Sequence, residues 1–244
     1  MRPPVFITTS WDDGHPSDLR LADLLDKYGL PGTFYVPLEN SRPVLEDRQI
    51  LHLSSRFEIG AHTVNHTDLI TAPDEVTRRE IVDSRMRLEH ICARPCHAFC
   101  FPKGRFRRKH VEFVRMAGYR TARTVELMSL EAPRLQDGVA MMPTTVQAGP
   151  MAFSKMARNS LKRLRPANLF RHVCHARADW VATAESVLDH AMNRGGVFHL
   201  WGHSWEIEEM NEWKNLERVF ALLSHCRGRA MFVDNTGLAR ATLS

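Results

Sequence analysis

No apolar run in the 244 residues approaches the ~18 that a membrane-spanning helix needs, so nothing reads as a transmembrane segment. A signal-peptide core is missing too. The run Val5 to Trp11 is too short for one and ends on Asp12-Asp13, which makes a cytoplasmic protein the expectation. The five cysteines are odd in number, which fits reduced thiols better than a disulfide framework. Cys92, Cys96 and Cys100 recur every four residues, but the spacing is not C-x-x-C and Pro95 interrupts it, so they are read as core or loop thiols. There is no internal repeat and no low-complexity tract, and a charged fraction of 25% is the globular average; disorder, collagen and coiled coil drop out. The net charge of +5 and pI near 9.1 are mild and select no class of partner.

What recurs is a strand followed by a helix. Short β-branched or aromatic runs lie at Val5 to Trp11, Thr33 to Val36, Phe57 to Ala61, His97 to Phe101, Tyr119 to Thr124, Val139 to Pro143, Val197 to Trp201 and Ala230 to Val233. Between the first two, Leu21, Leu24, Leu25 and Tyr28 keep the spacing of one buried helix face, with Pro16 before it and Gly29 ending it. Further helical patterns fall at roughly 74–91, 107–117, 153–165, 180–194 and 213–226. Seven or eight such alternations imply an α/β fold with a parallel sheet and helices outside. At this length one closed or nearly closed barrel is the economical solution, so residues 1–244 are read as a single domain. Its active site is expected at the C-terminal ends of the strands.

The polar residues fall there. Asp12-Asp13-Gly14 puts two adjacent carboxylates at the exit of the first strand, a repulsion that a metal ion or a shared proton relieves; an ordinary Asp-Gly turn is the plainer alternative. His62 and His66 follow a later strand four residues apart, and their imidazoles converge if the backbone takes a helical turn. Two histidines and a carboxylate leave coordination positions open for water, the pattern of a hydrolytic metal site. Trp201-Gly202-His203-Ser204-Trp205-Glu206 supplies a candidate general acid, His203, between aromatic walls, while His199 is read as a core histidine.

In order, Trp11-Asp12-Asp13-Gly14, Thr33-Phe34-Tyr35-Val36, His62-Thr63-Val64-Asn65-His66, Phe101-Pro102-Lys103-Gly104 and Trp201-Gly202-His203 resemble the motifs of the polysaccharide deacetylases. This is the NodB-homology or carbohydrate esterase family 4 group, and the resemblance spans about residues 5–235. It implies a distorted (β/α)7 barrel and a divalent metal, usually zinc. It implies further that Asp12 is the general base, that Asp13, His62 and His66 hold the metal, and that His203 is the general acid. Trp11, Pro102, Trp201, Trp205 and Glu206, within or beside the motifs, are the candidate substrate contacts. Two departures stand out. Many members open the third motif with an Arg that hydrogen-bonds the base; the matching position is Cys100, with Arg123 or Arg105 as candidate substitutes. The aromatic motif that braces the general acid has only Asp179-Trp180 as a candidate.

The expected activity is hydrolytic removal of an N-acyl group, N-acetyl first, from a nucleotide-linked, lipid-linked or polysaccharide-linked sugar in cell-surface polysaccharide or glycolipid biosynthesis. The alternatives are a deformylase or non-sugar amidase on the same barrel, and a metal-retaining binding protein, which only Cys100 favours. Residues 153–165 pattern as a helix with Lys155, Arg158, Lys162 and Arg165 on one side. A solvated face explains them, and the sharper reading is peripheral contact with an anionic membrane or a phosphate-bearing glycan donor. No aromatic residues for base stacking interleave with them, so no nucleic acid partner is expected.

Overall fold

The computed structural model describes residues 3–150, 166–176 and 179–243. Its strands are β1 (Val5–Asp12), β2 (Thr33–Val36), β3 (Glu58–Ala61), β4 (Ala98–Cys100), β5 (Thr121–Arg123), β6 (Arg134–Gln136), β7 (Val139–Met142), β8 (Val146–Gln147), β9 (Gly196–His203) and β10 (Met231–Phe232). The helices among the described residues are α1 (Asp18–Tyr28), α2 (Asp47–Ser54), α3 (Asp74–Cys92), α4 (Arg108–Met116), α5 (Pro166–His175), α6 (Trp180–Arg194), α7 (Ser204–Glu209), α8 (Trp213–Ser224) and α9 (Asn235–Leu243). Every strand read from the sequence is present, whereas β6, β8, α2, α5, α7 and α9 are additional. The basic pattern at 153–165 lies outside the described residues. Helix α1 buries Leu21, Ala22 and Leu25 and stops where Gly29 turns left-handed (φ 57°), with the Leu30 N–H returning 2.8 Å to the Leu25 carbonyl.

The strands form one curled sheet, parallel throughout the run β7, β5, β4, β3, β2, β1, β9, β8, with β6 antiparallel on β7 and β10 beside the start of β1. Strands β7 and β8 belong to a single run of chain that pairs with β5 at its start and with β9 at its end. Counting that run once, seven staves complete the circuit, the distorted (β/α)7 barrel expected. The seam inside that stave is bridged by residues 126–130: the Glu126 carbonyl accepts from Thr144 N–H at 2.7 Å, and the Leu130 carbonyl from Val197 N–H at 2.9 Å.

Side-chain alternation along β1 and β9 sorts the barrel into layers. Ile7 and Trp11 face the helices and join the main apolar core with Leu21, Leu25 and Phe220. Phe6, Thr8, Ser10 and Asp12 face inward and stand in register with Val197, His199, Trp201 and His203 of β9. At the N-terminal ends of the strands the interior is apolar, with Phe6, Ala140, Met142 and Val197 closed off by Leu238 of α9. Polar pairs fill the middle: Thr8 with Asn235 at 3.0 Å and Ser10 with His199 at 2.8 Å. Such buried polar groups are tolerated because each finds a partner. The uppermost layer carries Asp12 and His203.

Candidate active site

Register places Asp12, the last residue of β1, beside Tyr35 of β2 on one side and His203 of β9 on the other. The same alternation turns Trp11 outward. It is fully buried, donates its indole N–H to Thr9 Oγ1 at 3.2 Å and packs edge-on against Phe220, so its expected role as a substrate contact is corrected. Beyond Asp12 the chain reverses through positive φ at Asp13 (78°) and Gly14 (56°). At Gly14 a Cβ would come within 2.8 Å of Val36 Cγ1, which reserves the position for glycine.

Asp13, His62 and His66 offer one ligand atom each, all within 4.8 Å of one another. Asp13 Oδ1 is 3.3 Å from His66 Nε2 and 3.8 Å from His62 Nε2, and it is buried with no hydrogen-bond partner. Its other oxygen, Oδ2, accepts 2.9 Å from the Trp205 indole N–H. The His62 Nδ1–H donates to the Cys100 carbonyl at 2.8 Å, which leaves Nε2 as the lone-pair nitrogen. Burial pushes the His62 pKa down to about 4, so the ring is neutral at physiological pH. The two rings do not converge through a helical turn, as expected; the loop between them uses positive φ at Thr63 (65°) and His66 (50°). Glu80 of α3, which sequence reasoning missed, pins this loop: its Oε2 accepts from Val64 N–H and Asn65 N–H, each at 2.9 Å. An orphaned buried carboxylate oxygen facing two imidazoles is a donor set that fits a divalent metal.

Arg123 resolves the missing arginine. It stands on β5 as the register partner of Cys100 on β4, is fully buried, and pairs through Nη2 with Asp12 Oδ2. Its guanidinium carbon lies 4.6 Å from the Trp201 ring centroid and 5.6 Å from that of Tyr35. Burial works to raise the Asp12 pKa, yet the charges of Arg123, His62 and His203 hold it below the usual aspartate value. Asp12 Oδ1 is left without a hydrogen-bond partner. The other candidate, Arg105, instead pairs with Asp68 at 2.6 Å.

His203 ends β9, and α7 begins at the next residue. Its Nδ1–H donates to Glu206 Oε2 at 2.8 Å, and the same oxygen accepts from Gln147 Nε2 at 3.1 Å. Burial works to lower the His203 pKa, but Glu206 and then Asp12 carry it above the usual histidine value. Glu206 was expected to touch substrate; it lines the cavity, but its placed partner is His203. The His-x-x-Glu spacing at a helix start was the signal available. Gly202 lies within β9, where a Cβ would meet Ala148 Cβ at 3.1 Å, so its service is close packing. His199 is fully buried between Ser10 Oγ and the Pro143 carbonyl, with its pKa pushed to about 3 by burial. Asp179 caps α6 by accepting from Val181 N–H, and Trp180 donates to Glu212, so this pair does not brace His203.

A cavity of about 320 Å³ opens over Asp12, Asp13, His62, His66 and His203, walled by Val125, Leu127, Gln147, Trp201 and Trp205. Pro102, another expected substrate contact, is buried in a 3₁₀ turn; Lys103 and Gly104, its successors, reach the cavity instead.

The family model described as polysaccharide deacetylase matches residues 2–122, which carry Asp12, Asp13, His62 and His66. The chain belongs to the polysaccharide deacetylase family. As a polysaccharide deacetylase it is a hydrolase of carbon–nitrogen bonds other than peptide bonds, or of the corresponding esters, in a family that uses a divalent metal. Solved structures share the fold. A polysaccharide deacetylase from Mycobacterium smegmatis aligns over 100% of this chain and 91% of its own at 14% identity, TM-score 0.73. A family 4 acetyl xylan esterase from Clostridium thermocellum, in complex with a cobalt ion, aligns over 97% of this chain and 91% of its own at 16% identity, TM-score 0.59. A family 4 carbohydrate esterase from Bacillus anthracis aligns over 99% and 84% at 11% identity, TM-score 0.56. No curated protein matches the chain in sequence.

Proposed function

We propose that this chain removes an N-acyl group, N-acetyl in the first instance, from a sugar that is nucleotide-, lipid- or polysaccharide-linked. The observation that carries the reading is one cavity in which Asp13, His62 and His66 converge between Asp12 and His203. Asp13, His62 and His66 would hold the metal, with zinc the first choice for a set of two imidazoles and one carboxylate. A divalent ion held there would supply a water of pKa lowered toward ~7 and polarisation of the acyl carbonyl. Asp12, kept ionised by Arg123, accepts the proton of the attacking water at its free Oδ1. The water oxygen bonds to the acyl carbon, the carbon–nitrogen bond breaks toward nitrogen, and His203, protonated through its bond to Glu206, supplies the proton to the departing amine. Val125, Leu127 and Trp201 offer apolar wall to the acyl group, and Gln147 and Lys103 offer donors to the sugar.

Arg123 beside Asp12 supports turnover over a binding-only protein, since the loss of the arginine at position 100 was the sole feature favouring the latter. The buried free thiols of Cys92, Cys96, Cys100 and Cys226 support a reducing, cytoplasmic setting and with it a biosynthetic intermediate as substrate. The test is metal analysis of the purified protein, followed by acetate and formate release from a panel of N-acylated sugars. Asp12→Asn is expected to keep the metal and lose most activity, whereas Asp13→Asn weakens metal binding itself. The opposite pattern exchanges their roles, formate release in place of acetate makes it a deformylase, and a protein that takes up no added zinc ends the proposal.

A further inference from the structure

Trp205 was expected only as an aromatic wall for substrate, yet its indole N–H is spent on Asp13. It donates to Oδ2 at 2.9 Å, and the opposite oxygen of that carboxylate is the buried, unpartnered Oδ1 that faces His66 and His62. A carboxylate free at both oxygens has two ways to meet a cation and can rotate between them. One held by a fixed donor at Oδ2 presents a single oxygen in a single orientation.

The ring itself is clamped. The Arg42 guanidinium carbon lies 3.6 Å from the Trp205 ring centroid, and Arg42 is paired with Glu209, which stands on α7 as Trp205 does. Helix α7 begins directly after His203, so the indole and the His203 imidazole ride on the same junction, with ring centroids 5.4 Å apart. Arg42 comes from the loop after β2, and the clamp therefore ties two barrel loops together across the mouth of the site.

We propose that Trp205 is a positioning residue: its indole N–H orients Asp13 so that one carboxylate oxygen serves the metal with His62 and His66, and Arg42, stacked on the outer face of the ring, holds it there. This rests on the ligand set of the preceding section, and the test separates the two. Zinc affinity of the metal-free protein is measured by competition with a chromogenic chelator, alongside thermal unfolding of the same metal-free samples. Trp205→Phe keeps the wall and removes the donor; zinc affinity is expected to fall ~10–100-fold while the melting of the metal-free protein changes little. Arg42→Leu, a change at the partly exposed rim, is expected to weaken zinc about two- to fivefold and serves if Trp205→Phe folds poorly. The deciding readout is the cycle with Asp13→Ala: if Trp205 acts through Asp13, adding Trp205→Phe to Asp13→Ala produces no further loss of zinc affinity. Equal losses in both backgrounds, or wild-type affinity in Trp205→Phe, overturn the positioning role. If instead His62→Ala binds zinc like the wild type, the ligand set fails and the proposal goes with it.

Discussion

Replacing Arg123 by Met tests whether the displaced arginine does the work assigned to it. Met keeps much of the stem and removes the guanidinium that pairs with Asp12. Arg123 is fully buried and Asp12 is 3% exposed, so bulk solvent does not replace the lost partner. Removing one member of a buried ion pair costs ~3–5 kcal/mol. For a domain of this size that corresponds to a drop in melting temperature of roughly 6–20 °C.

The pH dependence carries the sharper sign. With Arg123 present the folded-state pKa of Asp12 lies below the unfolded value, so the pair adds stability that is present above the unfolded aspartate pKa and lost as pH falls through the folded one. Without it, burial dominates and the Asp12 pKa rises. The stability gap between variant and wild type then widens toward neutral pH and narrows in acid. Activity follows: the acid limb of kcat/KM moves to higher pH, with a loss of ~10²-fold at pH 6 that shrinks as pH rises. Calorimetric melting from pH 4 to 8 and acetate release over the same range measure both effects. Cys100→Arg added to Arg123→Met returns a guanidinium to the neighbouring strand at the same register and is expected to restore part of each. An acid limb that does not move, with the same loss at every pH, would refute the reasoning.

Glu206→Gln removes the charge that lifts the His203 pKa, so the alkaline limb of kcat/KM is expected to shift to lower pH, as is the His203 titration followed by NMR. A raised histidine pKa stabilises the fold at acid pH and that stability is lost as pH rises through it; the variant should therefore lose stability near pH 5 and little at pH 9. His203→Ala is expected to cut kcat on an N-acetyl substrate by ~10²-fold and on a matched activated ester far less, because the ester's leaving group needs no proton. His199→Ala leaves Ser10 Oγ unpartnered and is expected to cost ~1–3 kcal/mol in stability without that amide-selective loss. An exchange of the two kinetic patterns would exchange their roles.

What was legible in the sequence was what depends on neighbours along the chain. The bounds of β2, the stop of α1 at Gly29 and the long helices α3 and α6 follow from periodicity and caps, and so does the gathering of Asp12, Asp13, His62, His66 and His203 at strand exits. What escaped, or was left open between candidates such as Arg123 and Arg105, depends on contacts between distant segments. Cys100 and Arg123 are 23 positions apart, and only the β4–β5 pairing makes one stand in for the other. Glu80 reaches the histidine loop from the middle of α3, where any helix pattern would read it as solvated surface. Trp11 was misjudged because a motif was taken as a block, although β-strand alternation requires Trp11 and Asp12 to face opposite ways. Helix α7 was missed because no turn residue separates it from β9.

The seam between β7 and β8 divides the chain's labour. Asp12, Asp13, His203 and the His62 loop hang from β1, β9 and β3, strands paired on both sides and costly to alter. Val125, Leu127 and Gln147, which wall the same cavity, sit in or beside the stretches that cross the seam, where the chain leaves one neighbour for another; Thr145 marks the change, its N–H donating to the His199 carbonyl at 2.9 Å. Insertions or exchanges there can reshape the chamber while the reacting groups keep their places. Selectivity and reactivity are thereby free to evolve, or to be engineered, apart from one another.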